Sequence, residues 1–302
     1  MKATQLLKFY EQGYRDFTGV DLRGADLSGA MLISVNLTGA NLIGANLSRA
    51  FLTKSNFSQA NLNWANLSYA KMSETDFNSA NLTKANFTGA FMVKSQLLKA
   101  KLSGANLSYT NLRASNLFSA NICGAKLQKV NLRQANLNHA NLNWANLREG
   151  RLTGAHLQNA SFIGVNLSQA FLIDVELSGA DLAGINLSQA KLTRANLSNA
   201  NLSHANLNHA RLRKGNLNHA NLSNANLNYA DLGEASLRQA NLTSADLSQT
   251  NLHRANFEFA VLHNTILDAA ELKETLVPQT AIINRANSIG HSLLGDHQIQ
   301  IA

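Results

Sequence analysis

The sequence predicts an all-β solenoid, in which short extended segments and tight turns wind into stacked coils closed at one end by a short helix. Two observations predict it. A five-residue phrase, Ala-Asn-Leu-x-x, repeats through residues 16–275 with no inserted or deleted residue. Its period fits neither an amphipathic helix, whose apolar stripe recurs every ~3.6 residues, nor a strand whose faces alternate every second residue.

The phrase is close to invariant where an interior would demand it. Leu, Phe, Met or Ile fills the central position of 52 consecutive pentads, from Phe17 to Leu272, and 43 of these are Leu. The residue two before it is Ala in 36 pentads, small enough to sit beside Leu in a narrow bore. Each central side chain contributes about 1.5–3 kcal/mol if fully buried. The residue just before the centre is Asn or Asp in 34 pentads. Stacked Asn such as Asn41, Asn61, Asn81 and Asn121 are expected to form amide ladders or to bond the turn backbone, because an amide both donates and accepts. Gly24, Gly44, Gly104, Gly124, Gly164 and Gly184 recur at the end of a pentad, which reads as turn chemistry rather than a phosphate loop.

Segments such as Ala40-Asn41-Leu42-Ile43-Gly44, Ala105-Asn106-Leu107-Ser108-Tyr109 and Ala200-Asn201-Leu202-Ser203-His204 resemble the pentapeptide-repeat family, and the resemblance covers about 86% of the chain. It implies a right-handed quadrilateral parallel β-helix of four pentads per coil, here about 13 coils, with the central and small residues inward. At strand spacing such a stack is roughly 60 Å long. The resemblance implies no reaction. Some family members resemble duplex DNA in shape and acidity and so inhibit or protect type II topoisomerases, which gives an alternative reading.

A coil of four pentads predicts a 20-residue recurrence on the outside, and the sequence contains one. One column of the usual Asn/Asp slot carries Met31, Phe51, Lys71, Phe91, Arg151, Phe171, Lys191, Arg211 and Glu271. Inward, Phe17, Phe57, Phe77 and Phe257 fall in one column, so Phe57 and Phe77 are expected to stack in adjacent coils.

The same frame gathers charge on one face. Of the 22 Lys and Arg in the repeat, 13 fall there: Lys54, Lys71, Lys94, Arg113, Arg133, Arg151, Lys191, Arg194, Arg211, Arg213, Lys214, Arg254 and Lys273. With Glu74, Asp174, Asp231, Glu234, Glu271 and Glu274 the face sums to +7, against −1 for the other three faces and +8 for the whole chain. The acids collect toward the C-terminal end, from Asp231 to Glu274. Met31, Ile33, Phe51, Phe91, Val93, Phe171 and Ile173 are expected to point outward on the same side.

A cationic and apolar strip is a candidate docking face for an acidic protein, an anionic surface or nucleic acid. Its residues are Phe51, Lys54, Lys71, Phe91, Lys94, Arg113, Arg133, Arg151, Phe171, Lys191, Arg194, Arg211, Arg213 and Lys214. The competing reading is ordinary solvated charge with Phe covering corners. The DNA-mimic alternative is disfavoured, since a mimic needs an acidic surface and this chain has a pI near 9.7 and no loops inserted between pentads. Ice or crystal-surface binding would call for a Thr-rich array, and Thr is scattered here. Trp64 and Trp144 share a column, with Tyr69 and Tyr109 on the next face, as aromatics that could mark binding.

No enzymatic constellation emerges. The nine His are spread over different faces, with no spacing that would aim two rings at one metal, and no cofactor or metal site is expected. Cys123, the one cysteine, has no intramolecular partner and is expected to be an outward free thiol. No apolar run matches a membrane span and no signal-peptide core follows the start, so a cytoplasmic location is expected, with thylakoid lumen or periplasm as alternatives.

The ends read as caps. Residues 1–15 are expected to form an N-terminal cap, with a helix from Thr4 to Tyr14 carrying Leu6, Leu7, Tyr10 and Tyr14 on one side. The repeat domain is 16–275, and 276–302 is a C-terminal cap or tail. Pro278, the one proline, breaks the phrase after Leu276 and Val277. Ala281 to Ala286 are candidates to cap the end, and Ile299 and Ile301 to add an edge strand or join two copies, so a monomer or weak homodimer is expected.

Overall fold

A computed structural model describes residues 1–277 and 300–301. Pro278, the segment Ala281 to Ala286 and Ile299 lie outside the described residues. The chain folds as two compact units, Met1–Val165 and Asn166–Ala302, each with its own ladder of coils. In the first, parallel bridges step by twenty residues from Asp16↔Asn36 to Asn141↔Ser161, and in the second from Asn166↔Asn186 to Asn256↔Leu276. Four pentads therefore make one coil.

The pentad 36–40 shows why the phrase has the letters it has, because each of its five backbone N–H groups has a different acceptor. Asn36 N–H donates to Arg15 O of the preceding coil (2.8 Å), while Leu37 and Gly39 donate to Asn56 O and Ser58 O of the next (2.7 and 2.9 Å). Ala40 N–H closes the turn on Leu37 O at 3.0 Å. The remaining amide, of Thr38, donates to Asn36 Oδ1 at 3.1 Å. Asn is thus required by the third amide, which has no backbone acceptor within reach of the ladder.

Both expected uses of the Asn columns are present: amide ladders run through Asn201, Asn221 and Asn241, at 3.2 and 3.3 Å, and through a second column in the first unit. Asn66 Nδ2 donates to Asn46 Oδ1 and Asn86 Nδ2 to Asn66 Oδ1, both at 3.2 Å. Asn41, Asn61, Asn81 and Asn121 instead accept from the third amide of their own pentad, at 3.2–3.4 Å.

The fourth residue of every pentad between 16 and 275 has positive φ, +54° to +68°, whether Gly or not. With the turn bond from fifth to second residue, this is the pattern of a type II turn. Residues other than glycine there carry left-handed strain, commonly ~1–2 kcal/mol each. Ala114, at φ 57°, has no side-chain interaction to offset it. Ala114→Gly is therefore expected to raise stability by about 1 kcal/mol in urea denaturation. Gly164→Ala should lower it, because its Cβ would run into the Trp144 ring.

Inside, every central residue but the half-buried Leu262 is buried, as are most of the small residues two before them. Phe57 and Phe77 stack in adjacent coils, centroids 5.1 Å apart and planes 14° apart. Ser and Thr replace Ala in the interior without stranding a hydroxyl. Thr75 Oγ1 donates to Leu52 O (2.9 Å), Thr110 Oγ1 to Phe87 O (2.8 Å) and Ser115 Oγ to Met92 O (2.6 Å), in each case a central carbonyl one coil back.

The N-terminal helix α1, Ala3–Glu11, is shorter than expected. Gly13 takes φ +96° and the chain closes a Schellman motif, with Gly13 N–H on Tyr10 O and Tyr14 N–H on Phe9 O. Tyr14 therefore lies beyond the helix, its ring edge-on to Phe9 at 5.7 Å. Leu6 is fully buried, and Tyr10 Oη donates to Ile33 O at 2.8 Å, which ties α1 to the first coil. In the second unit β1, Leu276–Val277, pairs in parallel with β2, Gln300–Ile301.

Candidate docking face

In the first unit the ladder aligns the expected column directly: Met31, Phe51, Lys71, Phe91, Asn111 and Asn131 are bridged in that order, and Asn131 pairs on to Arg151. Successive rungs lie about 4.8 Å apart. Lys54 and Lys94 occupy the turn at one side of this column, and Arg113 and Arg133 follow Asn111 and Asn131 by two residues. All four are exposed, and so are Lys71 and Phe91. Lys54, Lys71, Lys94, Arg113 and Arg133 make no ion pair among the described residues. Lys71 places its ammonium over the Phe51 ring, 4.7 Å from the centroid. The first unit's share of the face is +5, with Glu74 the one acid.

The second unit's share behaves differently. Lys191 lies over the Phe171 ring at 4.0 Å, and its ladder continues to Arg211 and Asp231. Arg194 forms a two-pronged ion pair with Asp174, both bonds at 2.6 Å. Arg213 and Lys214 converge on Glu234, and Arg254 reaches Glu274 at 2.6 Å. The hydrogen bond from Arg194 holds the Asp174 carboxyl below the usual carboxylate range, as Arg213 does for Glu234 and Arg254 for Glu274. Stabilisation from a depressed carboxylate is present above its unfolded pKa and lost as pH falls through the folded one. At neutral pH these pairs are closed, so this part of the face offers less free charge than its sequence suggests. The net value for the second unit is +2.

Two aromatic residues that the face-by-face reading set apart border the strip in the first unit. Tyr69 and Tyr109 occupy the turn immediately before Lys71 and Asn111, with positive φ and 57–59% exposure. A fourth-position side chain leaves from a corner and so belongs to two faces, which a five-letter period does not reveal.

Three of the described histidines make local contacts: His209 stacks on Tyr229 at 4.7 Å, His139 lies 5.1 Å from the Phe118 ring, and His253 Nδ1 lies 3.1 Å from Lys273 O. Among the described residues no group of three or more His, Cys, Asp or Glu is placed to hold a metal ion. Cys123 is a free, partly exposed thiol. Among the described residues no helix is long and apolar enough to cross a membrane.

The family model described as pentapeptide repeats (8 copies) matches overlapping stretches that run without a gap from 16–49 to 240–275. The chain belongs to the pentapeptide-repeat family. Its fold is accordingly the right-handed quadrilateral β-helix of pentapeptide-repeat proteins. Among solved pentapeptide-repeat structures, HetL, involved in heterocyst differentiation regulation in the cyanobacterium Nostoc sp. strain PCC 7120, is 30% identical over 92% of this chain and 97% of its own, with a TM-score of 0.23. Rfr23 from the cyanobacterium Cyanothece 51142 is 22% identical over 54% of this chain and 94% of its own, TM-score 0.24. QnrB1, a plasmid-mediated fluoroquinolone resistance protein, is 18% identical over 57% and 93%, TM-score 0.30. Superpositions this weak carry no argument, and membership in the pentapeptide-repeat family rests on the repeat itself. Comparison with curated proteins finds no match.

Proposed function

We propose that the protein is a non-catalytic repeat scaffold that binds an acidic macromolecular partner through its basic face, with the first unit supplying most of the free charge. The observation that carries this reading is the group of exposed cations that make no ion pair among the described residues, Lys54, Lys71, Lys94, Arg113 and Arg133, gathered along the Phe51, Lys71, Phe91 ladder. Where Phe51, Lys71 and Phe91 replace the usual Asn, the third amides of their pentads, on Thr53, Ser73 and Val93, have no protein acceptor among the described residues. At some departures elsewhere a substitute acceptor exists, as where Leu98 N–H reaches Asn78 Oδ1 (2.8 Å), Gln158 N–H Asn138 Oδ1 (2.9 Å) and Arg238 N–H Asn218 Oδ1 (3.0 Å), while at Lys101 and Lys126 the third amides, of Ser103 and Gln128, have none among the described residues.

The expected result of Arg113→Glu with Arg133→Glu is elution from an immobilised polyanion at markedly lower salt, with the urea midpoint unchanged. Both side chains are exposed and neither makes an ion pair among the described residues, so stability should move by no more than about 0.5 kcal/mol. Unchanged retention would return the face to the reading of ordinary solvated charge. The topoisomerase-directed DNA-mimic reading remains the weaker one, because the charge that such mimicry requires is of opposite sign.

A further inference from the structure

Resting on the proposed acidic partner, we infer that the partner of the first unit's face is a single-stranded nucleic acid. An acidic protein would need only cations, and a duplex would meet only cations because its bases are stacked inside. This face offers rings as well. Tyr69 folds against Gly89, its ring occupying space that a side chain there would fill, with a Gly89 Cβ falling 2.6 Å from the ring. Its residue remains 57% exposed, and Phe91, one rung above Lys71, remains 52% exposed.

Neither ring stacks on another ring or carries a cation among the described residues, unlike Phe51 beneath Lys71. Tyr69 lies one rung from Arg49 in its turn column and two residues before Lys71, Phe91 shares its pentad with Lys94, and Arg113 and Arg133 follow on the next two rungs; none of these cations makes an ion pair among the described residues. A cationic track with interleaved exposed rings is the arrangement on which unpaired bases stack while phosphates follow the charges. Stacking on an exposed ring is open to every base, so binding is tolerant of sequence.

The test is anisotropy of the full-length protein with a labelled 15-nucleotide oligo-dT strand and with a duplex of equal length, over a salt series, with polyglutamate as a separate titrant. The strand is expected to bind about tenfold tighter than the duplex, and Tyr69→Ala with Phe91→Ala to weaken strand binding about tenfold at an unchanged salt slope. Arg113→Gln with Arg133→Gln should instead reduce that slope by about 1.4, roughly 0.7 for each charge removed. Circular dichroism of each variant, expected to match the parent, separates lost contact from lost fold. Equal affinity for strand and duplex, with the aromatic substitutions silent, overturns the inference and leaves the acidic-partner reading standing. Binding of polyglutamate without either nucleic acid does the same. Failure of all three ligands at low salt overturns both.

Discussion

Phe77→Ala is expected to destabilise the first unit by about 3–5 kcal/mol, the largest loss available from one interior substitution. Phe77 is fully buried, stacked on Phe57 at 5.1 Å and edge-on to Phe87 at 6.2 Å. Its removal leaves a cavity walled by two rings that cannot both move in, because each is fixed to its own rung of the ladder. In a stacked repeat each coil depends on its neighbours, so the loss should first appear as local opening of the coils around 57–87. Urea denaturation gives the total, and amide exchange locates it. Combining Phe77→Ala with Phe57→Ala should cost less than the two separate changes added, since both act on one contact. A loss below about 1 kcal/mol would mean that the interior relaxes around the gap and the rings are not rigidly stacked.

The interior was the most legible part of the sequence, for a physical reason. A narrow bore leaves almost no choice at the central and small positions, so Leu27, Leu107 and Ala105 repeat with little variation and declare the period. The four-pentad coil was legible from two columns that repeat imperfectly, the Phe57 and Phe77 pair inside and the Phe51, Lys71, Phe91 run outside. Both column sets are found aligned.

Conformation at the fourth position was hidden because its residue identity is almost free. Gly44, Trp64, Lys94 and Ala114 all take the same positive φ, imposed by the ladder above and below rather than by their own preference. The helix end was legible but misread: Gly13 between two aromatic-containing segments marks the Schellman turn that stops α1 at Glu11. The candidate face was legible as a sum of charges, and a sum cannot distinguish paired from unpaired cations. Arg194 meets Asp174 twenty residues away and Arg213 meets Glu234 twenty-one away, so their pairing depends on rotamers across a rung. Lys54 lies one rung from Glu74 without forming an ion pair with it, and Arg113 and Arg133 have no acid twenty residues away, so among the described residues all three retain the charge that the sequence assigned to them.

Every functional statement depends on the twenty-residue coil, because that alone places Phe51, Lys71 and Phe91 on one face. Asn116 and Asn136 are bridged in parallel on adjacent rungs, whereas Asn131 pairs with Asn111 and belongs to the preceding side of the coil. Adjacent rungs are about 4.8 Å apart, inside the ~4.4–6.8 Å span of disulfide Cα pairs. The decisive measurement is oxidation of two double variants in a Cys123→Ser background, read by non-reducing electrophoresis and thiol titration. Asn116→Cys with Asn136→Cys is expected to close an internal disulfide and, by closing a twenty-residue loop, to add about 3 kcal/mol against urea. Asn116→Cys with Asn131→Cys is expected to keep both thiols free. Ready closure of the second pair with failure of the first would contradict the coil, and with it the face built upon it.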